Sequence, residues 1–349
     1  VRDARVAPGV FDALSIFYNK KTNNISREEA MQRHPANPVV TRQHVPAGTP
    51  HLTDVSSVFN PGAIQFHDQT ILLLRVQNRG RETFTLTARS RDGLHFTLST
   101  PEIRFRGMEK LEERIYHCYD MRITPLEGRY YIMFAMDMEE GCRLGLAVTD
   151  DFETFEFLGI TSGGDTRNGV LFPERFNGLY LRLERPNRVQ LAGGPASGST
   201  IILSGSSDLL EWSPVGEVAS GRFHYWDELI GGGPPPVKTR AGWLALYHGV
   251  ATHFASANIY QAGVMLLDLL DPCKVLARSR YNMLEPRESW ELTGQVPNVV
   301  FPSGLIVEEY DDQGFARFDS PFRLYYGAAD TVVGLFTGRV SELIEAATA

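Results

Sequence analysis

The residues best placed by type and spacing to do chemistry begin with the stretch Tyr119-Asp120-Met121-Arg122-Ile123-Thr124, which leads into the apolar run Tyr130-Tyr131-Ile132-Met133-Phe134-Ala135-Met136. A carboxylate set between an aromatic ring and a guanidinium, just before a β-branched pair, is a charged group held beside a cation on a short strand entering a core, where carboxylates are drawn into chemistry. An ordinary ion pair between Asp120 and Arg122 fits the same residues, because structural pairs also place carboxylates beside cations. Other cationic and hydrogen-bonding side chains fall near the ends of similar apolar runs. They are Arg75 and Arg81, then Arg167 and Arg185, then His248 in Leu246-Tyr247-His248-Gly249-Val250, with Tyr260 shortly after. Several arginines, a His and a Tyr around one mouth would be a costly concentration of positive charge unless an anion neutralised it. Phosphate is the natural occupant, since guanidinium forks match its oxygens. Local pairing, as of Arg185 with its neighbour Glu184, accounts for the same residues, and spacing alone leaves both readings open.

The elements that must bring these residues together repeat along the chain. A turn followed by a short apolar strand occurs five times: His67 to Leu74, Glu127 to Ile132, Asn177 to Leu181, Ala241 to Leu246 and Ser320 to Tyr325. Each is preceded by a small or Pro-containing apolar segment, as in Pro61-Gly62-Ala63-Ile64 and Val300-Phe301-Pro302-Ser303. A second unit, an Asp turn closed by an aromatic or apolar residue, appears at Asp92, Asp151 and Asp208, and more loosely at Asp271. Its steps of roughly 57 to 63 residues have the size of a β-meander blade.

Five such hairpins predict an all-β, five-bladed β-propeller. The channel mouth would then be formed by Asn60, Asp120, Arg167 with Asn168, the Gly231-Gly232-Gly233 run and Pro297-Asn298. Ser26 followed by Glu29 is a capping-box pattern, so residues 1–36 are expected to form a helical N-terminal extension before a propeller domain at 37–349. A short helix over Val340 to Ala347 closes the chain, and the N-terminal helix is a candidate for contact with a second copy, giving a homo-oligomer.

Composition narrows the function classes. A formal net charge of -8 offers no basic footprint for nucleic acid. No apolar run approaches the roughly 18 to 20 residues that span a bilayer, so no membrane partner is expected. Cys118, Cys142 and Cys273 lack metal-ligand spacing and are odd in number, which argues against a zinc site or disulfide framework and for a reducing, cytoplasmic setting.

The motifs Phe59-Asn60-Pro61-Gly62-Ala63, Tyr119 to Thr124, Arg167-Asn168-Gly169-Val170-Leu171-Phe172-Pro173-Glu174, Leu183-Glu184-Arg185-Pro186, Gly233 to Thr239, Tyr247-His248-Gly249-Val250 and Tyr325 to Asp330, taken in order, resemble glycoside hydrolase family 130. These are the β-mannoside phosphorylases and their hydrolytic relatives. The resemblance implies inverting phosphorolysis of a β-mannoside to α-mannose 1-phosphate, with inorganic phosphate as co-substrate and no metal or other cofactor. It implies that Asp120 is the general acid, passing its proton through a sugar hydroxyl. Arg81, Arg167, Arg185, His248 and Tyr260 match positions that hold phosphate, and Asn60, Asn168 and Asp330 match positions that grip the mannose, with Arg75 beside them. Two departures stand out: Leu229 precedes Ile230-Gly231 where many members carry Lys, and Met121 replaces a frequent Pro after the acid. The rival readings are a hydrolase of the same mannosides, a five-bladed glycosidase of the arabinanase or fructosidase kind, and a non-catalytic sugar-binding propeller.

Overall fold

A computed structural model describes residues 31–47, 52–187, 189–190, 196–253 and 256–349. Most of the expected N-terminal helical extension, residues 1–30, lies outside the described residues. The extension's final residues are not helical: β1 (Gln32–Arg33) is a strand.

Five sheets follow. The first blade comprises β2 (Val55–Phe66), β3 (Gln69–Asn78), β4 (Thr83–Ser90) and β5 (Thr97–Leu98). The second comprises β6 (Phe105–Arg106), β7 (Ile115–Leu126), β8 (Arg129–Met138), β9 (Gly141–Thr149) and β10 (Phe155–Ile160), with β6 added parallel to β10 at the outer edge. The third has β11 (Thr166–Leu171) and β12 (Tyr180–Pro186), a small ribbon of β13 (Val189–Gln190) and β14 (Ala196–Ser197), then β15 (Thr200–Ser206) and β16 (Ser213–Ser220). In the fourth, β17 (Leu229–Gly232) and β18 (Val237–Thr239) share the innermost position against β19 (Gly242–Ala251), followed by β20 (Ile259–Leu267) and β21 (Val275–Arg278). Helix α1 (Ser289–Leu292) leads to the fifth blade, β22 (Val300–Val307), β23 (Pro321–Ala328) and β24 (Val332–Arg339), and α2 (Val340–Thr348) ends the chain. The fold is a five-bladed β-propeller, and the C-terminal helix stands where the sequence put it.

The fifth blade takes its outer strand from the start of the described chain. β1 pairs antiparallel with β24, Gln32 opposite Thr337 and Arg33 opposite Phe336. Arg33 fastens this closure through Nε and Nη2, each 2.8 Å from a carboxylate oxygen of fully buried Glu291.

Continuous apolar runs, rather than alternating ones, mark these strands because both faces of each sheet are covered. In β3, Ile71 and Leu73 pack toward the second blade, whereas Leu72, Leu74 and Val76 pack toward the fifth. In β19, Trp243, Ala245 and Tyr247 face the third blade while Leu244 and Leu246 face the fifth. The core therefore consists of separate apolar seams between neighbouring blades, and the ring is held by side-chain packing.

The Asp turns recur as expected in three blades. Oδ1 of Asp92 accepts the backbone N–H groups of Leu94 and His95 at 2.9 Å, and Asp151 and Asp208 repeat the pattern. In the fourth blade the equivalent is Asp268, which accepts from Leu270 and Asp271, so the match assigned to Asp271 belongs three residues earlier.

Candidate active site

The innermost strands of the first three blades share one irregularity. Register shifts at Phe59/Gly62 in β2, Tyr119/Arg122 in β7 and Arg167/Val170 in β11 leave two residues bulged at each place. The first bulged residue is Asn60, Asp120 or Asn168, with φ of 46°, 57° and 53°. Asn and Asp tolerate this left-handed geometry better than other non-Gly residues, and a bulge re-aims a side chain out of the strand's alternation. The fourth blade uses glycine at the corresponding place. A Cβ on Gly231 would strike the His248 ring and stand 2.6 Å from Asn168 Oδ1, so only glycine lets β17 lie this close to both.

Asp120 is held from the first blade. Asn60 Nδ2 donates to its Oδ1 at 2.9 Å, and Arg75 Nη1 stands 3.3 Å from the same oxygen. Oδ2 is left free of these two donors. The Arg75 guanidinium lies between the rings of Phe59 and Tyr119, 4.7 and 4.4 Å from their centres. Asp330, in the turn between β23 and β24, completes this side. Burial pushes its carboxyl up to about 6, with Arg75 opposing, Asp120 adding and Arg81 opposing.

The ion pair between Asp120 and Arg122 that the sequence allowed does not form. The bulge turns the two side chains apart, and buried Arg122 donates instead to backbone carbonyls, through Nη1 to Asp120 O at 2.9 Å and Nε to Gly233 O at 2.7 Å. It thereby joins the second blade to the fourth, and burial holds its guanidinium down to about 10 despite Asp120.

A second cluster gathers Arg167, Arg185, His248 and Tyr260. Arg185 Nη1 is 3.4 Å from His248 Nε2, and its Nη2 donates to Asn187 Oδ1 at 3.2 Å. Glu184 does not pair with Arg185. It lies 2.6 Å from Arg182 and accepts from Ser204 at 2.5 Å, on the opposite face of β12. Arg185 therefore has no carboxylate partner among the described residues, and burial, then the Arg167 charge, hold it down to about 10. Burial, followed by Arg185 and Arg122, keeps His248 well below the usual imidazole range, so it is neutral at pH 7 and Nε2 accepts from Arg185. Tyr260 stacks 6.1 Å from His248 and is anchored by its backbone N–H to Asn298 O. Burial raises its phenol, which Arg185 and Arg167 oppose and Asp330 reinforces.

Arg167 does have a carboxylate, Asp137 at the end of β8, 3.3 Å away. Arg81 stands apart from the cluster, exposed on the turn between β3 and β4 with φ 65°, and its charge is felt at Asp330. The residues expected from sequence thus form two adjoining groups. Asn60, Arg75, Asp120 and Asp330 make one, with Arg81 at its edge; Arg167, Arg185, His248 and Tyr260 make the other. Asn168 lies against Gly231 between the third and fourth blades.

Buried polar atoms without a hydrogen-bond partner concentrate here: Asn60 Oδ1, Arg75 Nε, Arg122 Nη2, Arg167 Nε, Asn168 Oδ1 and Arg185 Nε. Each such group costs about 1–3 kcal/mol when unsatisfied, so their convergence describes a site built for a polar ligand. Among the described residues no group of three or more His, Cys, Asp or Glu could hold a metal ion, and no helix is long and apolar enough to cross a membrane.

The family profile described as beta-1,4-mannooligosaccharide phosphorylase matches residues 30–348. The chain belongs to glycoside hydrolase family 130. It is 29% identical over 325 residues to beta-1,4-mannooligosaccharide phosphorylase of Ruminococcus albus, covering 91% of each chain. It is 31% identical to 1,2-beta-oligomannan phosphorylase of Thermoanaerobacter sp., over 80% of this chain and 89% of that one. Its fold superimposes with a TM-score of 0.77 on beta-1,2-mannobiose phosphorylase from Listeria innocua in complex with beta-1,2-mannobiose, at 27% identity, covering 91% of this chain and 99% of the other.

Two features of this family 130 site were not foreseen. Asp137 closes an apolar strand run and carried no motif of its own; its one signal was a carboxylate directly after seven apolar residues. Arg122 stood in view, but its backbone-carbonyl partners did not, because the bulge that separates it from the Asp120 carboxylate leaves no mark in residue spacing.

Proposed function

We propose that this family 130 protein cleaves β-mannosides by phosphorolysis with inversion, releasing α-mannose 1-phosphate and a sugar shortened by one mannose. The observation that carries this reading is one carboxylate, Asp120, fixed by Asn60 and Arg75 beside a buried cluster whose Arg185 has no acidic partner among the described residues. An inverting hydrolase needs an acid and a base that activates water, whereas phosphate is already an anion and needs no base.

In this mechanism Asn60, Arg75, Asn168 and Asp330 grip the terminal mannose, Arg167, Arg185, His248 and Tyr260 hold phosphate, and Arg81, which lies outside that cluster at the edge of the first group, adds its charge from the turn after β3. A phosphate oxygen attacks the anomeric carbon as the glycosidic bond breaks on the opposite face. The leaving oxygen takes the proton of Asp120, relayed through a sugar hydroxyl, and phosphate's own proton restores Asp120 through solvent. Because Asn60 and Arg75 both engage Oδ1, the transferable proton belongs on Oδ2. A product stored as a sugar phosphate is useful inside a cell, which supports a cytoplasmic setting.

Hydrolysis of the same mannosides is the second reading, favoured by the Asp137 carboxylate at Arg167. Incubation of β-1,4- and β-1,2-mannobiose with and without phosphate separates the two. Mannose 1-phosphate formed only with phosphate is expected; free mannose released equally fast in phosphate-free buffer overturns phosphorolysis.

A further inference from the structure

Asp137 is the one acidic side chain paired with an arginine of the second cluster among the described residues, and on charge alone it works against an incoming phosphate. Its Oδ1 accepts the Tyr119 hydroxyl at 2.7 Å and stands 3.3 Å from Arg167 Nη2. Its Oδ2 is 3.5 Å from His117 Nδ1 on the adjoining strand β7. Tyr119 in turn lies between two guanidinium groups, with Arg75 4.4 Å and Arg167 5.8 Å from its ring centre. One carboxylate and one phenol from the second blade therefore fix an arginine from the first blade and another from the third. The first of these holds Asp120, and the second keeps a buried Nε without a protein partner.

Resting on the phosphorolytic reading above, we infer that Asp137 is a positioning residue for the phosphate co-substrate, holding Arg167 in place through Oδ1 with Tyr119 as its brace. Unrestrained, the Arg167 side chain would be drawn to the other carboxylates of the site, because an unpaired guanidinium in a low-dielectric cavity seeks the nearest anion. Asp137 prevents this while leaving Nε for the ligand. The part of Asp137 that matters is then the acceptor geometry of Oδ1 and not its charge, which separates this role from simple neutralisation.

Steady-state phosphorolysis of a β-mannobiose, with phosphate and sugar varied separately, tests the role in Asp137→Ala, Asp137→Asn and Tyr119→Phe. Asp137→Ala is expected to raise KM for phosphate about tenfold or more, with KM for the mannoside within about threefold of the parent. Asp137→Asn retains the acceptor and is expected to restore most of the loss. Tyr119→Phe keeps the ring and loses the brace, so it should raise the phosphate KM severalfold and add little to Asp137→Ala in the double variant. An unchanged or lower phosphate KM in Asp137→Ala overturns the inference, as does an equal rise in both KM values. If Asp137→Ala fails to fold by circular dichroism, Tyr119→Phe decides alone: a selective rise in phosphate KM supports the role and its absence overturns it. A parent protein that turns over mannoside without phosphate overturns the functional reading as well, whereas a phosphate-dependent parent with an unaffected Asp137→Ala overturns only this inference.

Discussion

Replacing Arg185 by Met should leave the ligand-free protein at least as stable while removing its response to phosphate. Arg185 is buried, has no carboxylate partner among the described residues, and is held down to about 10 from the ordinary 12.5. That difference corresponds to about 3 kcal/mol against the charged form. For a base whose folded value is depressed, the penalty is fully present below pH about 10, and it fades only as pH rises toward the unfolded value. At pH 7 the whole cost applies. The substitution also strands the buried His248 acceptor, at about 1–3 kcal/mol, while half-buried Asn187 can turn to solvent, which leaves a net change between about zero and a gain of about 2 kcal/mol. Phosphate should stabilise the parent by mass action, about 2.7 kcal/mol at a hundred times its Kd, and should leave Arg185→Met unmoved. Urea denaturation of both proteins, with and without phosphate at constant ionic strength, measures these differences. A variant that is less stable than the parent yet still gains stability from phosphate would refute the assignment of Arg185 to the anion.

Asp120→Asn keeps an acceptor for Asn60 and Arg75 and loses the proton, so kcat for phosphorolysis should fall about 10²–10⁴-fold while mannoside binding by calorimetry changes little. Asp330 carries an acid raised to about 6, so its charge is disfavoured in the folded state: the protein loses stability as pH rises through about 6, and none of this effect remains below the ordinary value of 3.8. Asp330→Asn should therefore be more stable than the parent at pH 8, with the gap closing toward pH 4 in thermal melts; an equal gap at both pH values contradicts the assignment. Arg33→Ala leaves the buried Glu291 carboxylate with only the Tyr326 hydroxyl and backbone N–H groups, which should cost about 2–4 kcal/mol in urea without changing the phosphate KM.

The blade count was legible in the sequence because each apolar run, such as Ile71 to Leu74, must face a neighbouring blade on both sides, and this leaves unbroken apolar stretches that can be counted. The residues that the structure gathers at the bulges and the arginine cluster were marked in the sequence by motif order. Their pairings were not, because pairing depends on backbone register and on contacts between blades. Arg122 and Asp120, two residues apart, should share a face of a regular strand; the bulge at Tyr119/Arg122 separates them and gives Asp120 to Arg75 in another blade. Glu184 and Arg185 are adjacent, and strand alternation sends them to opposite faces. Asp137 drew no notice because its partner, Arg167, is a residue of the next blade.

The three bulges offer a repeated scaffold a way to carry the single reactive group proposed above. Asn60, Asp120 and Asn168 occupy one structural position in three consecutive blades, in the same left-handed geometry, and differ chiefly in whether the side chain ends in an amide or a carboxyl. An amide can donate and accept at once but cannot release a proton at neutral pH, so two of the three positions suit sugar hydroxyls and only one can do acid chemistry. That one is the position reached by Arg75 and Asn60; in the proposed mechanism the charge of Arg75 would steady the carboxylate after the proton has left, and the Asn60 amide would fix which oxygen carries it. In the proposed mechanism, the asymmetry of the reaction, with the acid on one side and the anion on the other, follows from what the neighbouring blades present: Arg75 and Asn60 from the first, Arg167 and Arg185 from the third. A second carboxylate at position 60 or 168 would confront Asp120 or crowd the anion, which gives a physical reason for amides at both flanking bulges.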